Sequence, residues 1–200
     1  MWQRVLEIFG KGDDVSRRLI VGLGNPGKKY EKTRHNIGFE ALRCLADRWG
    51  VDLSRTKFRG VYGTGRIGQT DAALLEPQTF MNRSGQSVQP AASFFDTPLE
   101  EIIVFHDDID LEVGQLKIKE GGGHGGHNGL RDITARMGKD FVRIRLGVGR
   151  PEHGDVTSHV LGRFAAHEYD AIDDLVHRGC DAVEVILDEG VTAAQNRFHR

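Results

Sequence analysis

The chain has 200 residues, of which 38% are hydrophobic and 28% charged, a balance that excludes an intrinsically disordered protein and suits one domain with a sizeable core. No apolar run approaches the ~18 residues of a membrane-spanning helix, so no membrane segment is predicted. The formal net charge of −2 shows no basic excess, which over the whole chain argues against a nucleic-acid partner.

Residues 1–18 mix apolar with charged side chains and lack the apolar region of a secretory signal. We interpret them as a short, amphipathic N-terminal extension that precedes a domain spanning 19–200. The two cysteines, Cys44 and Cys180, are too few for a disulfide framework and form no CxxC pair. They are interpreted as buried free thiols of a cytoplasmic protein.

The first strand and the first helix of the domain are separated by a polar loop. A strand is predicted over 19–23, whose apolar and β-branched residues end in a Gly-Asn-Pro-Gly turn at 24–27. Apolar residues at helical spacing over 39–49 predict a helix, with Asn36 as its N-cap and Gly50 as its stop.

The rest of the chain alternates strands with helices. Glycines give the strand at 58–67 a hairpin-like pattern, and Pro90 should bend the helix at 84–95 or shift its start. A long amphipathic helix at 163–188 is predicted to be interrupted near Gly179. The remaining elements are strands at 72–75, 102–105, 116–119 and 142–147 and a helix at 130–137. We therefore predict a single α/β domain with three α/β/α layers around a twisted, mixed, mostly parallel sheet, whose ligands lie beyond the carboxyl ends of strands.

Charge is distributed unevenly along the chain. Residues 17–66 hold twelve Lys/Arg and four Asp/Glu, a net +8, and residues 115–150 hold eight against three, a net +5, which leaves −15 elsewhere. These two segments also carry the loop glycines and histidines, a pattern typical of a protein with a phosphate-rich substrate. The alternative is that they are ordinary solvated faces, because charge runs usually serve solubility.

The glycines at 22, 24 and 27 match the spacing of a dinucleotide-binding fingerprint. Pro26 and the polar loop after it are unsuited to opening a helix, so we interpret the match as a strand-ending turn. Asn25, which precedes Pro26, is forced toward an extended backbone. Its side-chain amide is therefore held in one orientation, which suits a group that hydrogen-bonds to a substrate carbonyl.

Loop histidines and carboxylates favour catalysis by an activated water. No GxSxG nucleophile elbow occurs. A neutral imidazole that is hydrogen-bonded to a carboxylate can take a proton from water near neutral pH, and His35 and Asp107 could supply this pair. Asn25, Asn82 and Asn128 stand in loops beside predicted strand or helix ends, where their amides could hold an ester or amide carbonyl and stabilise an oxyanion.

The glycine-rich loop 121–129 holds two histidines at ligand-like spacing. His124-x-x-His127 leaves open a zinc site, and with it an amidohydrolase or peptidase, although no cysteine or His-Glu helix motif supplies the third ligand such a site needs. The alternative is that the glycines let the backbone approach a ligand closely while His127 and Asn128 point into a cleft.

Five motifs occur along the chain in a fixed order. They are Gly22-Leu23-Gly24-Asn25-Pro26-Gly27, Tyr30-x-x-Thr33-Arg34-His35-Asn36-x-Gly38, Thr79-Phe80-Met81-Asn82-x-Ser84-Gly85, His106-Asp107-x-x-Asp110 and the stretch 121–132. In order and spacing they closely resemble the bacterial peptidyl-tRNA hydrolases, over nearly the whole chain from residue 19 onward. The resemblance implies a cytoplasmic, usually monomeric α/β enzyme that cleaves the ester between peptide and tRNA, and so recycles tRNA, without metal or cofactor.

The resemblance also implies a role for each matching residue. His35 would be the general base that activates water, Asp107 would orient and stabilise it, and Asn25 would read the blocked amino group, so that free aminoacyl-tRNA is spared. Asn82 and Asn128 would position the scissile region. The other implied contacts are Tyr30 and Phe80 at the tRNA 3′ end, Met81 and His127 in support of the cleft, and Lys117, Lys119 and Arg145 on phosphates.

Two departures from the family's pattern bear on function. Residues 150–155 are shorter than in some relatives and carry no lysine, so Arg150 or His153 is expected to replace one phosphate contact. Arg43 stands where many members have an acidic residue, and it is expected to matter only to surface pairing. A non-catalytic RNA-binding module with the same surface is the alternative, disfavoured by the intact His35 and Asp107 and by the scarcity of aromatic residues.

Overall fold

The computed structural model describes residues 17–151 and 153–199, which contain one seven-stranded sheet. Its strands are β1 (Arg18–Gly22), β2 (Arg55–Lys57), β3 (Gly60–Ile67), β4 (Thr70–Pro77), β5 (Ile102–Asp108), β6 (Leu116–Glu120) and β7 (Val142–Gly147). Residues 1–16 of the predicted N-terminal extension lie outside the described residues. Arg17 is already joined to the domain, because its carbonyl accepts a hydrogen bond from Thr97 Oγ1.

The strands lie in the order β2-β3-β4-β1-β5-β7-β6. At the centre, β4, β1, β5 and β7 are parallel neighbours. β3 and β6 run the other way, and β2, which is antiparallel to β3, points in the same direction as the central four. Five of the seven strands therefore share one direction, which confirms the predicted mixed, mostly parallel sheet.

Helices cover both faces of the sheet and complete the three predicted layers. They are α1 (Ile37–Trp49), α2 (Gly85–Phe94), α3 (Asn128–Met137), α4 (Val156–Val160), α5 (Tyr169–Glu189) and α6 (Val191–Phe198). Successive strand residues point to opposite faces, so Ile20 and Ile103 pack with α1, α5 and α6, whereas Val21 and Val104 pack with α2 and α3. None of the described helices is long and apolar enough to cross a membrane.

Several element boundaries differ from the prediction. Phe58 and Arg59 form the turn between β2 and β3 instead of belonging to a strand. Gly179 does not interrupt α5, because it lies where the helix packs closely on the sheet, and a Cβ there would come 3.3 Å from Phe105 Cε1. The helix predicted from residue 163 begins only at Tyr169, and α4 and α6 were not predicted.

The two cysteines are unpaired, as predicted, but only one is buried. The thiol of Cys180 lies 3.6 Å from Ala41 O, at the contact between α1 and α5. Cys44 is partly exposed, with its sulfur 3.6 Å from His177 Nδ1. The prediction of a buried thiol is therefore wrong for Cys44, which lies at the border of the helix contact.

Two glycines let the start of α1 press against β1 and β5. A Cβ on Gly38 would come 2.5 Å from Leu23 O and 2.6 Å from Phe105 O, and a Cβ on Gly22 would come 2.3 Å from Gly38 O. Only glycine fits these positions without a shift of the backbone. The close approach places the turn before α1 at the carboxyl end of β5.

Candidate active site

A cavity of about 580 Å³ opens at the carboxyl edge of the sheet. Its walls come from loops that follow the central strands, from the glycine-rich loop before α3 and from α4. Nine of the twelve expected site residues line it, namely Asn25, His35, Met81, Asn82, Asp107, Lys119, His127, Asn128 and Arg145. The other three, Tyr30, Phe80 and Lys117, lie outside its walls.

His35 and Asp107 form a buried, hydrogen-bonded pair. His35 lies in a 3-10 turn (Arg34–Asn36) just before α1, and Asp107 is the last residue but one of β5. Nδ1 of His35 lies 2.8 Å from Oδ1 of Asp107. The same oxygen lies 2.9 Å from Nε2 of His127, the residue before α3. One carboxylate oxygen thus bridges two imidazoles.

The turn that carries His35 is also tied to a distant part of the chain. The N–H of Arg34 donates to Gly162 O at 2.9 Å, and its guanidinium donates to Glu168 Oε2 at 2.8 Å and to Arg163 O. These bonds fix the backbone on the N-terminal side of His35.

Backbone contacts decide which nitrogen of His127 carries a proton. Its Nδ1 accepts from the N–H groups of Gly129 and Leu130, at 3.1 and 3.3 Å, and so caps α3. A ring nitrogen that accepts carries no proton, so Nε2 of His127 must donate to Asp107. The ionised Asp107 also needs a donor from His35, which must be Nδ1. Nε2 of His35 is then left as a basic nitrogen at the cavity.

Burial and charge act in opposite directions on this pair. Burial lowers the pKa of His35, but the charge of Asp107 and the hydrogen bond to it prevail, and the pKa lies above its usual 6.5. Burial alone would raise the pKa of Asp107, yet the positive charge that His35 and His127 carry when protonated, and the hydrogen bonds they donate, hold it well below its usual range. Asp107 is therefore ionised at neutral pH, and His35 is a stronger base than an ordinary imidazole.

His106, which is not among the expected site residues, lies behind the pair. Its Nδ1 donates to Asp107 O at 2.8 Å, and its Nε2 is buried without a partner among the described residues. Burial and the nearby His127 lower the pKa of His106 to about 3, so this ring is neutral. It packs edge-on against His127, with ring centroids 5.1 Å apart. His106 therefore supports His127 without adding a charge beside Asp107.

The amide of Asn25 is oriented from two sides. Oδ1 of Asn36 accepts from Asn25 N at 2.8 Å, and Nδ2 of Asn36 donates to Asn25 O at 3.0 Å. Oδ1 of Asn25 accepts from Met81 N at 2.8 Å, which leaves Nδ2 of Asn25 as a donor at the cavity. Asn36 stands at the predicted N-cap position of α1, but its side chain is engaged with Asn25 and makes no cap bond to the helix.

Basic side chains stand on the β6–β7 side of the cavity. The strand register pairs Lys117 with Arg145 and Lys119 with Arg143, so all four point to the same face of the sheet. Nε of Arg145 lies 2.7 Å from Asp108 Oδ2, which offsets its charge. Lys119 is exposed and lines the cavity, so its ammonium is accessible to a phosphate.

Arg143 is a buried cation that the sequence analysis did not select. Its guanidinium donates to the carbonyls of Gly122 and Gly123 and forms no ion pair among the described residues. It therefore holds the glycine-rich loop against β7 and adds positive charge to the cavity wall. In contrast, Arg150 is paired with Asp110 at 2.5 Å, and neither it nor His153 lines the cavity.

The mouth of the cavity is polar and aromatic. The rings of Tyr30 and Phe80 meet edge to face with centroids 6.3 Å apart, and Phe80 is 54% exposed. Asn82 and Asn128 are exposed side chains of the cavity wall, and Oδ1 of Asn128 accepts from Arg131. These groups are accessible to a substrate much larger than the cavity.

Possible metal ligands converge at a different place from the His124-x-x-His127 spacing. His35, Asp107 and His127 bring three ligand atoms within 4.8 Å of one another. His124 is not part of this group, and its Nδ1 accepts from Gly126 N at 3.1 Å. The two histidines of the His124-x-x-His127 motif therefore make separate contacts.

Arg43 pairs with a buried carboxylate, so the expectation that it matters only to surface pairing is wrong. Its Nε and Nη2 each lie 2.7 Å from a carboxylate oxygen of Glu76, which is only 5% exposed. Gln78 Nε2 donates to the same carboxylate at 2.9 Å. Since Glu76 and Gln78 lead into the loop that carries Phe80 and Met81, the pair anchors that loop to α1.

The family model, the relatives of similar sequence and a solved structure of similar fold and sequence carry the same description. The family model for peptidyl-tRNA hydrolase matches residues 19–200. The peptidyl-tRNA hydrolase of Clostridium novyi is 45% identical over 182 residues, which are 90% of this chain and 97% of that one. The one from Trichlorobacter lovleyi is 48% identical over 182 residues, 90% and 94% of the two chains. The crystal structure of peptidyl-tRNA hydrolase from Acinetobacter baumannii matches with a TM-score of 0.87 and 43% identity, over 94% of this chain and 97% of that one.

Proposed function

This chain belongs to the peptidyl-tRNA hydrolase family, and we propose that it hydrolyses the ester bond between peptide and tRNA with His35 as the general base. The observation that carries the proposal is the basic Nε2 of His35 at the cavity, backed by the ionised Asp107. The substrates are peptidyl-tRNA and other N-acylated aminoacyl-tRNAs, and their cleavage returns the tRNA to translation. The enzyme acts as a monomer in the cytoplasm.

The geometry supports direct attack by water. Nε2 of His35 takes a proton from water while the water oxygen bonds to the ester carbonyl carbon. Asp107, 2.8 Å away, stabilises the imidazolium that forms. When the tetrahedral intermediate collapses, the bond from carbon to the ribose oxygen breaks, and that oxygen takes the proton from His35. The products are a peptide carboxylic acid and a tRNA hydroxyl group.

Asn25 accounts for selection of blocked substrates. Its Oδ1 is occupied by Met81 N, so the group that meets the substrate is the N–H donor Nδ2. An N-acylated substrate offers a carbonyl acceptor beside its α-nitrogen, whereas a free aminoacyl-tRNA offers an ammonium, which only donates. Asn82 and Asn128 position the scissile ester and stabilise the oxyanion.

The tRNA is held by groups around the catalytic pair. Lys119, Arg145 and Lys117 share one face of β6–β7 and contact phosphates, because phosphate binding draws on accessible cations. Tyr30 and Phe80 contact the 3′ end, while Met81 and His127 support the cleft.

Hydrolysis of N-acetyl-aminoacyl-tRNA, measured beside free aminoacyl-tRNA, tests the proposal. We expect turnover of the blocked substrate alone, and loss of turnover without loss of tRNA binding in His35→Ala. His177→Ala, a change at an exposed histidine on α5, is the matched control and should retain activity. Wild-type protein that binds tRNA without turnover would instead be the non-catalytic RNA-binding module. Equal cleavage of both substrates would remove the role given to Asn25.

A further inference from the structure

The two residues of the turn between β2 and β3 adopt a backbone conformation that is unfavourable for residues of their type. Lys57 pairs with Gly60, so Phe58 and Arg59 form a two-residue hairpin turn. Their φ values are 56° and 52°, in the left-handed region that Asn and Gly usually fill in such turns. Bulky residues there carry a conformational cost, which points to a need for their side chains.

These side chains build an exposed aromatic and basic surface, the turn patch, made of Lys57, Phe58, Arg59 and Phe94. The rings of Phe58 and Phe94 lie 5.1 Å apart, and Phe94 is 55% exposed. The Lys57 ammonium lies 3.6 Å from the centroid of the Phe94 ring. Arg59 donates to Gln86 Oε1 on α2. The patch therefore presents an exposed aromatic ring and two cations, one of which lies over that ring.

The cations of the turn patch are not neutralised by neighbours. The stretch 53–66 contains four basic residues and no acidic one. Neither Lys57 nor Arg59 forms an ion pair with another described residue. Both side chains are exposed, so they can meet an external anion.

The turn patch lies at the same edge of the sheet as the catalytic cavity. The register pairs Gly60 with Pro77, the last residue of β4, so the turn lies at the carboxyl edge. Arg59 O accepts from Gln78 N at 2.8 Å, two residues before Phe80 at the cavity mouth. β3 is two strands from β1, a lateral distance of about 10 Å. The patch thus flanks the site on the side opposite to Lys119 and Arg145.

We infer that the turn patch is a second RNA-binding surface, which contacts the single-stranded 3′ end of the tRNA. An exposed ring stacks on a base, and the two cations meet its phosphates, as in proteins that bind single strands without reading their sequence. RNA fits better than peptide, because the peptide differs between substrates whereas the charged backbone is always present. The inference rests on the proposed function for the identity of the RNA.

Binding of deacylated tRNA across a range of salt concentrations tests this surface without any turnover. In Lys57→Ala and Arg59→Ala, the slope of log affinity against log salt should become shallower by about 0.7–0.9 per cation removed. Phe94→Ala should weaken binding roughly tenfold with an unchanged slope, because it removes stacking and no charge. In hydrolysis, the three variants should raise KM and leave kcat unchanged.

Arg66→Ala is the matched control. Arg66 is an exposed cation of the same hairpin, but it lies at the opposite edge of the sheet and donates to Gln69. The inference would be overturned if the salt slopes of wild type and Lys57→Ala were equal, or if Lys57→Ala and Arg66→Ala changed the slope equally. It would also be overturned if the turn-patch variants bound tRNA like the wild type but had a KM that depended on the attached peptide, because the patch would then contact peptide. Failure of the wild type to hydrolyse its substrate would instead count against the proposed function.

Discussion

Oδ1 of Asp107 determines which of three neighbouring histidines can act as a base. It accepts from both His35 and His127, and His127 uses its other nitrogen to cap α3. His106 donates from one nitrogen and buries the other. His35 alone of the three keeps a basic nitrogen at the cavity. The three rings are chemically alike, so their contacts make the difference.

Replacing Asp107 with Asn should change both the rate of hydrolysis and its pH dependence. The base acts when neutral, so kcat/KM should fall as the pH decreases through the pKa of His35, which lies above 6.5. A neutral amide stabilises the imidazolium less, so the acidic limb should move to lower pH and the plateau should fall by about 10²–10⁴. A pH–rate profile with N-acetyl-aminoacyl-tRNA measures both changes. An acidic limb at the same pH in the variant would contradict the assignment of His35.

At this scale the sequence predicted which side chains meet at the cavity better than it predicted the contacts that hold them. His35 and Asp107 are identifiable because few side chains exchange protons near neutral pH. Asn36 has the sequence position of a helix cap, but its side chain bonds to Asn25, eleven positions away. In the sequence, Arg143 is only one residue of an alternating strand pattern. Its contacts to the glycine-rich loop depend on the conformation of that loop.

Among the elements, α1 has the closest link to the site, because its first turn packs on the sheet through Gly38. The 3-10 turn that carries His35 leads directly into this helix, so the distance of the helix from β5 affects the distance between His35 and Asp107. Glycine at this position thus contributes to the geometry of the proposed catalytic pair as well as to packing.

Gly38→Ala should therefore reduce both stability and activity. The added Cβ must displace backbone carbonyls, at a cost of about 1–3 kcal/mol in the free energy of unfolding. The displacement should also lower kcat by separating the catalytic pair. Gly50→Ala is the control, since Gly50 ends α1 at φ 63° with open space around it and should cost about 1–2 kcal/mol in stability alone. Urea unfolding with kcat measured on the same samples would distinguish them, and equal kcat values would argue against the link.

Elements with strong local patterns were predicted well. The buried central strands are short apolar, β-branched runs, and β5 extends such a run to Asp107. The β2–β3 turn was not predicted at Phe58 and Arg59, because these are not typical turn residues. The glycines that follow them indicated the hairpin instead. The predicted break at Gly179 is wrong, because a small residue within a helix also serves where the helix packs closely on a sheet.

On the scale of the whole molecule, positive charge is concentrated in two stretches of the chain, since residues 17–66 and 115–150 carry a net +13 and the rest carries −15. Lys119, Arg143 and Arg145 line the cavity beside His35, together with Asp107, Asp108 and Asp110. Of these three cations, Lys119 is exposed and forms no ion pair with another described residue. A second cavity, between α5, α6 and the β3–β4 hairpin, is lined by Asp181, Glu184, Asp188 and Glu189 together with Arg197.

Removing one cavity cation should weaken tRNA binding in a salt-dependent way. Lys119→Ala should make the slope of log affinity against log salt shallower by about 0.7–0.9. Arg197→Ala on α6 is the control, because Arg197 lines the acidic cavity and pairs with Glu189 at 3.0 Å. Filter binding of deacylated tRNA gives both slopes. The same slope in Lys119→Ala as in the wild type would refute phosphate binding at this position.

The two basic segments were visible in the sequence, but their arrangement around one cleft was not. It depends on the strand order, in which β1 lies between β4 and β5 and the β2–β3 hairpin lies at the far side from β6. No local pattern encodes that order, because it results from long-range strand pairing.

The bonds of Arg34 bear on how the protein is made. Its partner Glu168 lies 134 positions further along the chain, so the turn that carries His35 acquires this anchor only late in synthesis. A chain still attached to the ribosome is itself a peptidyl-tRNA, and thus of the same chemical class as the proposed substrate. The turn that carries His35 therefore reaches its anchored conformation only after residue 168 has been synthesised.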